Sequence, residues 1–235
     1  MLHIRNPIPV ASIHLIVFDL DGTLIDSQKD LANSINAMLA ELHRQPLPEE
    51  IIAAYVGDGV SMLVRRALGD PADEHLVTQG LDFFLAYYRE HKLDHTYVYP
   101  GVFDSLNALR AAPDPAPRKM AVLTNKPINP SRAICDALAL SPYFFQIYGG
   151  NSFATKKPDP EGLNTLIAEA GVSPQQTLMI GDSDNDILVA RRAGAWSIGC
   201  KFGLSSHTLD NISADCLVDS PAEWAMALYP AGSLK

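Results

Sequence analysis

The sequence contains little cysteine and no cluster of positive charge. Its three cysteines are odd in number and far apart, so they predict buried, reduced thiols and neither a disulfide framework nor a metal site; they are Cys135, Cys200 and Cys216. Only 18 basic side chains stand against 27 acidic ones, giving a formal net charge of -9, and no basic run occurs. A nucleic-acid-binding protein is therefore not expected.

Long apolar segments are also missing. The apolar stretch at residues 4–17 is interrupted by Pro7 and Pro9 and runs into polar residues, which is not typical of a signal peptide. Nothing approaches the roughly 20 apolar residues of a membrane span. The 235 residues are 47% hydrophobic, enough for a substantial core. The sequence predicts a cytoplasmic protein with no membrane partner, and it leaves open whether the protein is a monomer or a homodimer.

Short apolar runs alternate with amphipathic stretches along most of the chain. The runs predict strands buried on both faces of a parallel sheet, at residues 13–20, 120–123, 145–148, 177–180, 196–199 and 216–218. The amphipathic stretches predict helices at residues 131–140, 161–170 and 184–193. This alternation predicts an α/β fold with a doubly wound parallel sheet, where ligands bind beyond the carboxyl ends of the strands.

One segment interrupts this alternation. Between residues 27 and 97 the pattern is only helical, with Leu31, Ile35 and Met38 at helical spacing. The sequence therefore predicts two domains, a helical module inserted at residues 27–97 and a Rossmann-like core formed by residues 1–26 and 98–235. A proline-rich stretch at residues 111–117 predicts a stiff surface loop.

Asp19 and Asp21 follow the first predicted strand and are the strongest chemical feature. Two carboxylates at the end of a buried strand need a metal, a positive partner or a shared proton. One carboxylate can attack phosphorus and form an acyl phosphate. The other can donate a proton to the leaving oxygen and later accept one from water. Gly22 allows the backbone to turn close to a phosphate. Taken alone, the pair is equally explained by an acidic turn.

Three further polar segments follow apolar strands or loops. Thr124 and Asn125 offer a hydroxyl and backbone amides to a phosphate, although both residue types also cap turns. Lys157 can offset phosphoryl charge, although a lone lysine is usually solvated. Asp182 and Asp186 suit a hard cation such as Mg²⁺, although acidic residues also favour helix N-termini. Together these segments supply what phosphoryl transfer requires.

In this order, the motifs resemble those of the haloacid dehalogenase superfamily over nearly the whole chain. Residues 19–23 match its first motif, Thr124 its second and Lys157 its third, and residues 181–182 with Asp186 match its fourth. The resemblance implies a phosphatase with Mg²⁺ as cofactor.

The same resemblance implies a role for each aspartate. Asp19 is the nucleophile and a metal ligand, and Asp21 is the general acid/base and binds the metal through its carbonyl. Asp182 is a third ligand, and Asp186 supports the metal site. The presence of Asp21 argues against dehalogenation, because dehalogenating members lack that aspartate. Thr124 and Lys157 complete the implied catalytic set.

The helical insert resembles the small helical cap of this superfamily, and its central loop is similar to that of bacterial phosphoglycolate phosphatases. This similarity implies a small phosphorylated metabolite as substrate, with 2-phosphoglycolate the first choice. The residues expected to bind it are Gly22, Thr23, Asn125, Gly57, Asp58, Gly59 and Arg65. Whether Arg65 or Arg66 contacts the substrate stays open.

Other activities share these motifs. A phosphomutase of the beta-phosphoglucomutase kind, a sugar-phosphate phosphatase and a pyrophosphatase are the alternatives among enzymes. A response-regulator receiver also uses Asp, Thr and Lys around Mg²⁺, but the chain length, the insert and the Asp-x-Asp pair argue against it. An inactive scaffold is not expected because no catalytic position has been lost.

Overall fold

The structure is a computed structural model that describes residues 3–111 and 118–228. Its strands are β1 His3–Ile4, β2 Leu15–Phe18, β3 Ile25–Asp26, β4 Tyr97–Val98, β5 Lys119–Leu123, β6 Gln146–Tyr148, β7 Thr177–Gly181, β8 Trp196–Cys200 and β9 Cys216–Val218. Its helices are α1 Gln28–Glu41, α2 Glu49–Ala53, α3 Val60–Ala67, α4 Glu74–His91, α5 Val102–Ala111, α6 Ile128–Ala137, α7 Glu161–Ala170, α8 Asp184–Ala193 and α9 Glu223–Leu228. All but the first residue of the proline-rich stretch 111–117 lies outside the described residues.

Seven strands form the main sheet, in the order β1-β9-β8-β7-β2-β5-β6. Every pairing is parallel except the one between β1 and β9. The register places Val17 of β2 between Ala121 of β5 and Met179 of β7. The carboxyl ends of these three central strands therefore finish at the same edge. This topology confirms the predicted α/β fold with a doubly wound parallel sheet.

The apolar strands are buried because helices cover both faces of the sheet. Along β2, Ile16 and Phe18 join the core on one face, while Leu15 and Val17 join the core on the other. Apolar side chains from α5, α6 and α9 complete the first core, and those from α7 and α8 complete the second. The three cysteines are buried free thiols, as the sequence predicted.

Helices α1 to α4 occupy the segment in which the sequence predicted only helices. They enclose their own apolar cluster, which includes Ile35, Met38 and Phe84. The chain enters and leaves this segment through β3 and β4, whose antiparallel pairing sets Ile25 opposite Val98. Two adjacent crossings thus connect the helices to the sheet.

Several boundaries differ from the expectation. Helix α6 begins at Ile128, three residues before the predicted start and directly after Pro127, whose ψ of 146° is not helical. The helix stops short of residue 140 because Ala139 takes a left-handed φ of 56°. Strands β1, β3 and β4 were not predicted. Within the described parts of the chain, no helix combines the length and apolar character needed to cross a membrane.

Candidate active site

The predicted chemical residues meet at the edge formed by the carboxyl ends of β2, β5 and β7. Asp19 directly follows β2, Thr124 follows β5 and Asp182 follows β7. The Asp19 amide donates to the Ile180 carbonyl at 2.9 Å, which extends the pairing of β2 and β7 to this point. Lys157 reaches the same place from the loop between β6 and α7. Parallel register is what brings these separate segments together.

Asp19 is held by one ion pair and one backbone hydrogen bond. Its Oδ1 lies 3.0 Å from Lys157 Nζ and accepts from the Leu20 amide at 2.7 Å. The Asp19 side chain is only 11% exposed. Burial raises the pKa of Asp19 to about 6, against the opposing attraction of Lys157. A carboxylate that is buried and still reachable from a cleft is a good candidate for chemistry.

Asp186 orients the lysine. Its Oδ1 lies 2.6 Å from Lys157 Nζ, while its Oδ2 accepts from the Ser183 amide at 3.0 Å and from the Ser183 hydroxyl at 2.7 Å. Burial alone would lower the pKa of Lys157, but the carboxylates of Asp186 and Asp19 raise it above its ordinary value. The ammonium group is therefore charged and bridges two carboxylates.

Asp182 completes a buried cluster of carboxylates. Ligand atoms of Asp19, Asp182 and Asp186 all lie within 4.8 Å of one another. Asp182 accepts from the Ser205 amide at 2.8 Å and more weakly from the Thr23 hydroxyl at 3.4 Å. Burial raises the pKa of Asp182 well above its ordinary value, and the neighbouring carboxylates add to this shift. Three acidic groups exceed the single charge of Lys157, so the donor set fits a hard divalent cation.

Two glycines allow the backbone to close around Asp182. Gly22 has a φ of 81°, and a Cβ there would lie 2.2 Å from Asp182 Oδ2. A Cβ on Gly203 would lie 2.2 Å from Asp182 Cβ. A larger residue at either position would displace this carboxylate.

Asp21 is surrounded by a second network, whose partners Lys126, Tyr88 and Ser27 were not predicted as site residues. Lys126 Nζ lies 3.0 and 3.1 Å from the two Asp21 oxygens and donates to the Tyr88 hydroxyl at 2.7 Å. Ser27 also donates to Asp21, at 2.6 Å. Burial would lower the pKa of Lys126, but Asp21 raises it above its ordinary value. This network connects a strand end of the sheet to α4.

The cleft beside these groups is walled by both parts of the fold. It opens to solvent and is lined by Asp19, Asp21, Thr124, Asn125, Lys126 and Asp182 together with Gly57, Gly59 and apolar side chains of α1, α3 and α4. Asn125 Nδ2 donates at 2.9 Å both to the Gly57 carbonyl and to the Lys157 carbonyl. Ser205 Oγ donates to the Val56 carbonyl at 2.8 Å. These bonds connect the helical segment directly to the site.

Other predicted substrate-binding residues lie elsewhere. Arg65 pairs with Glu74 at 2.6 Å and with Asp70 at 3.6 Å, and it does not line the cleft. Arg66 pairs with the Asp58 carboxylate, so the Asp58 side chain is also engaged outside the cleft lining. Both arginines are therefore compensated by nearby acids on the helical segment.

Sequence reasoning had only weak signals for Lys126 and Tyr88. Lys126 directly follows Asn125, but nothing local indicates that a lysine will be buried. Tyr88 continues the helical row of Leu81, Phe84 and Leu85 on α4, which predicts a buried face without saying what that face meets. Only the packing of α4 against the sheet edge joins the two residues.

The fold and the site together define an α/β enzyme whose helical insertion covers a buried cluster of carboxylates and lysine. Residues 16–200 match the model of the family described as haloacid dehalogenase-like hydrolase, and the chain belongs to this family. The resemblance predicted from the motifs is confirmed.

Curated relatives and solved structures agree with this assignment. A phosphoglycolate phosphatase of Chromobacterium violaceum is 41% identical over 215 residues, covering 90% of this chain and 94% of that protein. One from Neisseria meningitidis is 38% identical, covering 94% and 96%. The structure of a predicted phosphoglycolate phosphatase from Haemophilus somnus superposes with a TM-score of 0.83 at 31% identity, covering 91% and 96%. CbbY from Rhodobacter sphaeroides, solved in complex with phosphate, gives 0.70 at 26% identity, covering 90% and 96%.

Proposed function

We propose that the protein is a Mg²⁺-dependent phosphatase that hydrolyses 2-phosphoglycolate through an aspartyl-phosphate at Asp19. The observation that carries the chemistry is the buried cluster of Asp19, Asp182 and Asp186 around one lysine. The choice of substrate is supported by relatives named phosphoglycolate phosphatase that cover nearly the whole chain.

The carboxylates of Asp19 and Asp182 and the carbonyl of Asp21 would hold Mg²⁺. Asp186 stands beside them, since both of its oxygens already accept hydrogen bonds from Lys157 and Ser183. When bound, the ion supplies positive charge that offsets the phosphoryl group.

Asp19 attacks phosphorus, and the bond between phosphorus and the ester oxygen breaks. The ion pair with Lys157 and the hydrogen bond from the Leu20 amide both fall on Oδ1 of Asp19, so Oδ2 is the oxygen proposed to attack. Asp21 donates a proton to the departing alcohol. Asp21 then accepts a proton from water as that water attacks the acyl phosphate, which releases phosphate and restores the Asp19 carboxylate. Lys157 and the Thr124 hydroxyl bind the phosphoryl oxygens throughout.

Residues 27–97 are proposed to act as a cap that closes over the substrate. The walls contributed by Leu31, Val60 and Phe84, together with the Asn125 bond to Gly57, support this role. A closed cap would exclude bulk water until the phosphoryl group has moved to Asp19. We also propose a cytoplasmic location, which the three free thiols support.

Phosphate release from a panel of metabolites tests the proposal. The panel contains 2-phosphoglycolate, sugar phosphates and pyrophosphate, each measured with Mg²⁺ and with EDTA. Asp19→Asn should abolish release and the transfer of label from substrate to protein. Asp104→Asn, at an exposed position of α5, is the matched control and should stay active. Interconversion of sugar phosphates without phosphate release would indicate a mutase and overturn the proposal.

A further inference from the structure

Lys126 is the positive charge of the cleft. Among the residues that the structure describes, it is the only basic side chain in the cleft lining, where it stands with Asp19, Asp21 and Asp182. Its side chain is only 5% exposed. The two arginines of α3 are paired with acids of the helical segment, and Lys157 is engaged by Asp19 and Asp186.

The surroundings of Lys126 leave it able to bind a further anion. An ammonium group has three N–H donors. One N–H is shared between the two carboxylate oxygens of Asp21, and a second is donated to the Tyr88 hydroxyl. The third N–H is available for a ligand in the cleft. The Tyr88 hydroxyl accepts from Lys126, so its own proton can be donated to the same ligand.

The position of Lys126 beside Asp21 determines how far from the ester oxygen of the substrate that anion must lie. In the proposed mechanism Asp21 hydrogen-bonds the ester oxygen of the substrate. Lys126 Nζ lies 3.0 and 3.1 Å from the Asp21 oxygens. An anionic group one methylene from the ester oxygen would therefore come within reach of Lys126 and Tyr88.

The part of the wall that the helical segment contributes is largely apolar. Leu31, Val60, Leu63, Phe84 and Leu85 line the same cleft as Lys126. These side chains offer no hydrogen-bond partner to the hydroxyl groups of a sugar. They also lower the local dielectric constant, which strengthens an ion pair formed beside them.

We propose that Lys126, assisted by the Tyr88 hydroxyl, binds the carboxylate of the substrate and so selects 2-phosphoglycolate over phosphate esters that lack a carboxylate. This inference rests on the proposed phosphatase activity. The substrate carboxylate is then bound by Lys126, which follows β5, and by Tyr88 of α4, and not by the arginines of α3.

Comparison of 2-phosphoglycolate with ethyl phosphate, its counterpart without the carboxylate, tests the inference. The ratio of the two kcat/KM values is measured with Mg²⁺. Lys126→Met should lower this ratio by roughly 10- to 100-fold, since a hydrogen bond between charged groups is lost. Lys126→Arg should restore part of the ratio, and Tyr88→Phe should lower it by a smaller factor. Lys29→Met, at an exposed lysine paired with Glu49, is the matched control and should leave the ratio unchanged.

Binding measurements separate recognition from an effect on Asp21. The probes are 3-phosphonopropionate and propylphosphonate, which cannot be hydrolysed and differ in the carboxylate. Titration calorimetry with Mg²⁺ should show weaker binding of the first to Lys126→Met, with little change for the second. Equal losses for both probes, or an unchanged kcat/KM ratio, would overturn the inference. If the wild type releases phosphate from neither ester, the proposed function fails, whereas the binding comparison still decides the role of Lys126.

Discussion

The ammonium group of Lys157 lies 2.6 Å from the Asp186 carboxylate, in an ion pair whose side chains are 2% and 0% exposed. Lys157 also contacts the proposed nucleophile Asp19, at 3.0 Å, so the fixed ammonium group holds that carboxylate in place. Two hydrogen bonds from Ser183 fix Asp186 in turn. A lysine on a loop thereby becomes a rigid part of the site.

Lys157→Met should therefore be costly for both stability and activity. The substitution leaves the buried carboxylates of Asp186 and Asp19 without their cation, which should lower the free energy of unfolding by about 3 kcal/mol or more. Urea denaturation of the metal-free protein measures this loss, and phosphate release should fall at least about 100-fold. Lys29→Met, at the exposed pair with Glu49, should unfold like the wild type. A wild-type midpoint for Lys157→Met would contradict the assigned role.

Gly22→Ala should weaken metal binding. The added Cβ would lie 2.2 Å from Asp182 Oδ2 and force this carboxylate to move. We expect the apparent affinity for Mg²⁺ to fall by roughly tenfold or more, as measured from the Mg²⁺ dependence of phosphate release. Gly171→Ala is the control, because Gly171 also has a positive φ, of 72°, but has nothing within 4 Å of an added Cβ. It should cost only about 1 kcal/mol of stability. Equal Mg²⁺ dependence in the two variants would refute the prediction.

The stabilisation by Mg²⁺ should grow with pH. Burial raises the pKa of Asp19 from 3.8 to about 6 in the metal-free fold. The folded protein therefore binds this proton more tightly than the unfolded chain does. As the pH rises from the pKa of the unfolded chain past about 6, ionisation of Asp19 lowers the free energy of unfolding by about 3 kcal/mol. Since Mg²⁺ binds ionised carboxylates, the gain in Tm on adding it should be larger at about pH 7.5 than at about pH 5.

Asp19→Asn tests this pH effect. The amide does not titrate, so the variant should lose part of the pH dependence of stability and should respond less to Mg²⁺. Asp104→Asn should keep the wild-type behaviour. A Tm gain that is the same at both pH values in the wild type would show that protons and Mg²⁺ do not compete at this site.

Asp21→Asn should reduce the hydrolysis of esters with poor leaving groups most. An alkyl alcohol needs a proton as it departs, whereas p-nitrophenolate departs readily without one. We expect kcat/KM for 2-phosphoglycolate to fall roughly 100-fold or more, and the loss for p-nitrophenyl phosphate to be clearly smaller. Steady-state kinetics of both substrates with Mg²⁺ measure the difference. Equal losses would mean that Asp21 does not act as the general acid.

The fold was predictable because its signals are local. Apart from β1, each strand of the main sheet coincides largely with a short apolar run, and α7 and α8 begin and end where their amphipathic patterns do. The two-residue strands β3 and β4 were not predictable, since each is too short to show a pattern and forms only by pairing with the other. The amphipathic pattern predicts the start of α6 three residues too late, because the helix already begins directly after Pro127.

The chemistry available at the sheet edge follows from the sequence alone. Polar residues that directly follow apolar parallel strands, such as Asp19, Thr124 and Asp182, must emerge at one edge, because parallel strands present their carboxyl ends together. Which charged side chains pair with one another, in contrast, depends on the tertiary packing. Arg65 lies within reach of Glu74, while Lys126 meets Asp21 and Tyr88. Such pairings depend on how the helical segment packs over the sheet, and that packing joins residues far apart in the chain.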